Sequence, residues 1–256
     1  EAEFAELPFE SFDIHQNTFK GYIQTHLFNQ PSVDAIVKSY SDQITSVSIN
    51  EIAHQNWNKV WESNYPPVQL DNELFIGATF HEVPEACKYS IILEPNMSFG
   101  TGHHPTTEMM LRAMFSLNMT NWNVMDFGCG SAILAIYAAY KNAHGIGIEI
   151  DAHAAEAARQ NLALNQVSSF TVETGGIEKM AQDGFDLILA NINKNVIEEC
   201  LDTFKASAKE GTLLFCSGFL SGDVESLTES IESKGFRIES KNQIEDWAML
   251  AAKYQS

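Results

Sequence analysis

The chain has 256 residues, 45% hydrophobic and 11% aromatic, with 34 acidic against 15 basic side chains and a formal net charge of −19. This composition excludes a disordered chain, and the length suits one large domain of about 150 to 200 residues with a smaller companion. The charge disfavours unassisted binding to a phosphate backbone and favours a basic partner, while acids spread without a block of roughly five or six also serve plain solubility.

Residues 1–50 are expected to form a small α+β module. Short alternations over Phe19 to Phe28 and Ile44 to Ile49 predict strands around a helix at Ser32 to Tyr40. Ile52, Trp57, Val60 and Trp61 recur at helical spacing until Pro66-Pro67, which predicts a linker helix over 51–64. The two tryptophans read better as buried against a neighbour than as a peptide grip. The remainder, 65–256, is expected to be the catalytic domain.

That domain opens with predicted strands at Leu74 to Phe80 and Tyr89 to Leu93, then a glycine-containing loop, Ser98 to His104. Pro105 suits a first helical position, and Met109, Met110, Ala113, Met114 and Leu117 share one face of a helix over 105–117. Beyond Asn123 the pattern is regular. Strands at 124–127, 145–150, 170–173, 185–190 and 212–217 are interspersed with helices at 132–141, 153–165, 196–209 and 224–234, and an extended stretch closes the chain at 237–254. Such a series implies an α/β fold of the Rossmann-like type, a mainly parallel, doubly wound sheet with helices on both faces.

Cysteines stand at 87, 129, 200 and 216 with no CxxC pair, which excludes a recognisable zinc or disulfide framework and fits a reducing cytoplasm. No apolar run approaches the roughly 18 residues of a membrane span. The first ten residues are acidic, unlike a signal peptide, and with no initiator Met the N-terminus reads as trimmed.

The most informative run is Val124-Met125-Asp126-Phe127-Gly128-Cys129-Gly130-Ser131, an apolar strand entering a glycine turn ahead of an apolar helix. Side chains at 128 or 130 would block a ligand's approach to the backbone, and the helix N-terminus offers free N–H groups. A dinucleotide fingerprint requires a third Gly where this chain has Ile133, which weakens a nicotinamide-dependent dehydrogenase. Asp126, two residues before the first Gly, gives the D-x-G-x-G pattern common in S-adenosylmethionine sites. Glu149, at the next strand's end, can accept hydrogen bonds from ribose hydroxyls, whereas Asp151 suits a helix cap. Phe127 suits adenine stacking or packing under the loop. His103 and His104 lack a third ligand at suitable spacing, so no metal is expected.

The run Phe99-Gly100-Thr101-Gly102-His103-His104-Pro105-Thr106-Thr107, followed closely by Asp126 to Ser131, resembles the ribosomal protein L11 methyltransferases, the PrmA family. The likeness extends through Asp186 to Ile192 and Cys216 to Leu220. It implies a class I methyltransferase using S-adenosyl-L-methionine, joined to an N-terminal ferredoxin-like module that recognises a basic ribosomal protein; the charge argues against a direct nucleic-acid partner, the lack of a long apolar run against a membrane partner, and a monomer is the expected state. Cofactor contacts are thereby implied at Thr107, Gly128, Glu149 and Asn191, with Phe99, Gly100, Thr101, Asp126 and Gly130 completing the site. Asn191 and the Ile192 carbonyl are implied as acceptors that orient a neutral amine. Ala132, Glu149 and Asn193-Lys194 depart from the family pattern, the last at the presumed substrate mouth. The runner-up readings are a methyltransferase for another protein, nucleic-acid or small-molecule amine, and a non-catalytic cofactor-binding module.

Overall fold

In the computed structural model of the protein, residue 4 and residues 7–15, 18–50, 66–94, 102–180 and 184–255 are described. The expected linker helix with Trp57 and Trp61, and the loop residues Phe99, Gly100 and Thr101, lie outside them. The chain divides into two units, Glu1–Trp61 and Glu62–Ser256.

In the first unit, strands β1 (Phe9–His15) and β2 (Thr18–Ile23) form an antiparallel hairpin. Helix α1 (Gln30–Ser39) follows, started by the Asn29 side chain, which accepts from the Ser32 N–H at 3.1 Å. Phe12 stacks on Phe19 across the hairpin at 5.2 Å between ring centres. Two expectations are corrected here. The strand expected over 19–28 ends at Ile23 because Thr25–Leu27 turn helically. No strand forms over 44–49: Val47 and Ile49 are 50% and 52% exposed, and alternation without a partner strand or a covering core does not hold a ladder.

The second unit begins with a three-stranded sheet of β3 (Val68–Leu70), β4 (Leu74–Gly77) and β5 (Tyr89–Ile92), in which β4 pairs antiparallel to β3 and parallel to β5. Helix α2 (Pro105–Phe115) leads into the main sheet, with Pro105 at its first turn as expected. The main elements then run β6 (Asn123–Phe127), α3 (Ile133–Tyr140), β7 (His144–Glu149), α4 (Ala152–Leu164), β8 (Phe170–Thr174), β9 (Phe185–Asn191), α5 (Lys194–Ala206), β10 (Ala208–Leu220), α6 (Val224–Ser233), β11 (Phe236–Ile244) and β12 (Trp247–Tyr254).

Seven strands join in the order β11-β12-β10-β9-β6-β7-β8. The five from β8 to β10 are mutually parallel, and β12 runs antiparallel to both of its neighbours. The closing stretch is therefore two strands joined by a tight turn at Glu245-Asp246, where Glu245 has φ 53°.

Period-2 alternation divides each central strand between two cores. On β9, Leu187 and Leu189 enter the core beneath α2, α3 and α4, while Ile188 and Ala190 enter the core beneath α5 and α6. All four are fully buried. Strands covered on both faces read as continuous apolar runs, as Leu187 to Ala190 does. The expected doubly wound α/β architecture is present.

Candidate active site

Strand β6 lies mid-sheet, and the chain passes from it to β7 on one side, whereas β9 pairs on the other. The loops leaving β6 and β9 therefore diverge, opening a crevice beyond the carboxyl ends of the strands. A cavity of about 740 Å³ occupies this position. It draws together every described residue that sequence reasoning placed in the site: Thr107, Asp126, Gly128, Gly130, Glu149, Asn191 and Ile192.

Two backbone bonds pin the glycine turn to β7: the N–H groups of Gly128 and Cys129 both donate to the Ile148 carbonyl, at 2.8 and 3.1 Å. Gly128 has φ +71°, and a Cβ there would collide with Cγ2 of Ile192. Ala132 follows in the left-handed conformation, φ 62°, as the N-cap of α3. Its departure from glycine therefore falls where L residues carry a cost of about 1–2 kcal/mol.

Asp126 is 1% exposed beneath the turn and accepts from the Ala135 N–H at 3.2 Å. Burial pushes its carboxyl up to about 7. The bond from Ala135 opposes that rise, and the charge of Glu149 adds to it.

Both oxygens of Glu149 are engaged by backbone: Oε2 accepts from Gly130 N at 2.9 Å, and Oε1 from Asp151 N at 3.0 Å. The carboxylate thus ties the glycine turn to β7 while lining the cavity. Asp151 separately caps α4, accepting from the N–H groups of His153 and Ala154 at 2.8 Å each. The helix-cap role expected of Asp151 is present in this geometry.

Asn191 ends β9, half-buried, and its side-chain amide donates to Thr107 Oγ1 at 3.3 Å. Thr107, 2% exposed, sits in the first turn of α2. The Ile192 N–H donates to the Ser217 carbonyl at 3.1 Å. Gly218, φ +92°, lies so close that a Cβ there would strike the Ile192 carbonyl oxygen. The Asn193-Lys194 departure has a local structural role: Asn193 caps α5 through Val196 N at 3.1 Å, and Lys194 pairs with Asp223 at 3.3 Å.

Sequence reasoning missed several lining groups, among them Gly218, Trp247, Glu199 and the segment Gly175 to Glu178. Trp247 comes from the start of β12 and packs edge-on against His104, ring centres 4.5 Å apart. No local spacing signals it, because only the sheet order brings β12 near the cavity. His103 and His104 are engaged by Pro66 O at 2.7 Å and Thr106 Oγ1 at 2.8 Å respectively. Among the described residues, no group of three His, Cys, Asp or Glu side chains is placed to hold a metal.

The cavity suits S-adenosylmethionine. Gly128 and Gly130 line it with bare backbone, Glu149 presents a carboxylate at the end of β7, and Ile133, Leu134, Ile148 and Ile150 supply apolar walls. Cysteine chemistry is poorly served: burial pushes the lining thiols up, Cys129 well above its ordinary value and Cys200 to about 11, so neither is a ready thiolate.

The model of the ribosomal protein L11 methyltransferase (PrmA) family matches residues 4–255. A ribosomal protein L11 methyltransferase of Phocaeicola vulgatus is 33% identical over 250 residues, 96% of this chain and 89% of that protein. The one from Porphyromonas gingivalis is 31% identical over 261 residues, covering 97% and 88%. The crystal structure of a ribosomal protein L11 methylase from Lactobacillus delbrueckii subsp. bulgaricus superposes with a TM-score of 0.69 at 24% identity, over 75% of this chain and all of that one. With a family model matched over nearly its whole length and relatives above 30% identity over most of both chains, the chain belongs to the ribosomal protein L11 methyltransferase family of S-adenosylmethionine-dependent enzymes.

Proposed function

We propose that this protein transfers methyl groups from S-adenosylmethionine to lysine side-chain or N-terminal amines of ribosomal protein L11. The observation that carries the site assignment is the convergence of Asn191, Thr107, Glu149 and the Gly128–Gly130 turn on one switch-point cavity. The names of the relatives carry the substrate. A net charge of −19 agrees with a basic protein acceptor and disfavours nucleic acid.

The bound donor supplies an activated methyl group on a sulfonium. The protein's own part is positioning, which can account for several orders of magnitude of rate. Glu149 receives the ribose hydroxyls, and the glycine turn admits the rest of the cofactor. A lysine near pKa 10.4 arrives charged at neutral pH, so the site must favour its neutral form. The Asn191 side-chain oxygen and the Ile192 carbonyl accept the amine's remaining N–H bonds, leaving its lone pair facing the methyl group. Among the described residues lining the cavity no side chain stands out as a general base, and the departing proton leaves through solvent.

In this reading residues 1–50 recognise the protein substrate, 51–64 link, and 65–256 catalyse. Cytoplasmic action accords with four free cysteines and with the absence, among the described residues, of a helix long and apolar enough to cross a membrane. The deciding experiment is intact-protein mass spectrometry of ribosomal protein L11 incubated with this chain and S-adenosylmethionine. Successive 14-Da additions (one CH₂ each), strongly slowed by Asn191→Ala, support the proposal, and an unchanged mass with cofactor binding intact sends the search to another acceptor.

A further inference from the structure

We propose that Asn161 is a positioning residue for the cofactor turn, holding the Ser131 carbonyl to the end of β5 so that the backbone from Gly128 to Ser131 keeps the shape the methyl donor requires. The inference rests on reading the cavity as the donor's site.

Helix α4 buries one stripe against the core, with Ala155, Ala158 and Leu162 in it. Asn161 and Asn165, 1% and 9% exposed, are amides set into the same stripe. Amides at such positions are tolerated only when hydrogen-bonded, and both are. Asn165 exchanges two bonds with Ile92, accepting from its N–H at 2.8 Å and donating to its carbonyl at 2.6 Å. Asn161 accepts from the Glu94 N–H at 2.9 Å.

Ile92 and Glu94 are two residues apart, so their N–H groups face the same edge of the extended chain. That edge lies opposite β4, the only strand that pairs with β5 among the described residues. The two asparagines therefore serve β5 as a neighbouring strand would.

For edge-filling alone Asn165 and the Glu94 contact would suffice. Asn161 does something further: its Nδ2 donates to the Ser131 carbonyl at 3.0 Å. Ser131 is 3% exposed and ends the glycine turn, immediately before the left-handed Ala132 that begins α3. One buried side chain thus bridges the β5 exit and the cofactor turn. Asn165 makes no such bridge, although it shares the helix face and a bond to the Asn161 carbonyl at 2.8 Å.

The pair supplies its own control. Asn161→Asp keeps an acceptor for Glu94 but sets a carboxylate against the Ser131 carbonyl; Asn161→Ala removes both bonds without adding charge; Asn165→Ala removes the β5 contacts together with the bonds to Tyr140 Oη, at 3.1 Å, and the Asn161 carbonyl, and leaves the Ser131 bond in place. Titration calorimetry with S-adenosylmethionine, alongside melting temperature and initial rates on ribosomal protein L11, distinguishes them.

The expected result is an S-adenosylmethionine Kd raised about tenfold in either Asn161 variant that folds, with KM for the cofactor rising in step and kcat at saturation little changed. Asn165→Ala should lower the melting temperature comparably yet bind within about twofold of wild type. Asn161→Ala binding as tightly as wild type, or Asn165→Ala binding as poorly as Asn161→Ala, overturns the inference. Should the wild-type protein itself fail to bind, the donor-site reading falls first and takes this inference with it.

Discussion

The side-chain amide of Asn191 donates to the hydroxyl of Thr107 at 3.3 Å, joining the end of β9 to the first turn of α2. With its nitrogen committed on that side, the amide presents its oxygen on the other branch, where an amine can use it. The α2 turn is itself held by Pro105 and by His104, whose Nδ1 accepts from the Thr106 N–H. The orientation of the Asn191 side-chain oxygen, the proposed acceptor for the amine, is thus set by a helix cap outside the main sheet.

Asn191→Ala should lower kcat by roughly 100-fold, the scale attached to misplaced reacting groups, while the melting temperature stays near wild type because the side chain is only half-buried. Thr107→Val, which leaves Asn191 in place but unheld, should give a smaller loss. Rates by mass spectrometry with scanning calorimetry test this; a full-rate Asn191→Ala enzyme would remove Asn191 from the mechanism.

Gly128→Ala and Gly218→Ala should each destabilise the protein. The left-handed backbone costs an L residue about 1–2 kcal/mol, and forced displacement of Ile192 adds about 1–3 kcal/mol. The two should differ in function: at 218 the new methyl group lies on the Ile192 carbonyl oxygen, so turnover falls further than cofactor affinity. Gly222→Ala, with nothing within 4 Å, is the neutral comparison. Urea melts and cofactor titrations separate these outcomes.

Glu149 and Asp151, two residues apart, should fail differently. Glu149→Ala releases two backbone N–H groups and removes the proposed ribose acceptor, so S-adenosylmethionine Kd should rise at least tenfold. Asp151→Ala removes a helix cap, which costs about 1 kcal/mol of stability, and leaves Kd nearly unchanged. Equal effects on Kd would contradict the assignment.

Asp126 should make stability depend on pH. Its folded value, pushed up to about 7 by burial, exceeds the unfolded value of about 3.9. The folded protein therefore holds this proton more tightly than the unfolded chain. The associated stability is fully present below about pH 4 and is lost as pH rises through 7. Relative to Asp126→Asn, cofactor-free wild type should lose stability across that window and run parallel above it. Parallel melting curves at every pH would place the Asp126 titration elsewhere.

Much of this was legible because the informative signals are local. The strand-turn-helix at Val124 to Tyr140 carries its alternation, glycines and apolar helix in one stretch, and the structure keeps each within a residue or two. Asp151 was readable as a cap from position alone. The strands β1 and β3 escaped notice because the first mixes acids with aromatics and the second has only three residues. The apolar alternation at 44–49 pointed to a strand that does not form, since burial is a property of neighbours. Trp247 and Gly218 were invisible for the same reason: the place of Trp247 at the cavity follows from the β10–β12 pairing and that of Gly218 from the β9–β10 pairing, which no spacing encodes.

Ile192 sits with its side chain against Gly128 and its carbonyl against Gly218, so the ends of β6, β9 and β10 are interlocked through one residue. For inhibitor chemistry this separates two directions of growth. Groups added toward Ile192 meet a wall that yields only if three strand ends move together, and should gain affinity through fit or not at all. Groups added toward Ile150, which lines the same cavity and is 79% exposed, enter space where a ligand can be enlarged without disturbing the sheet.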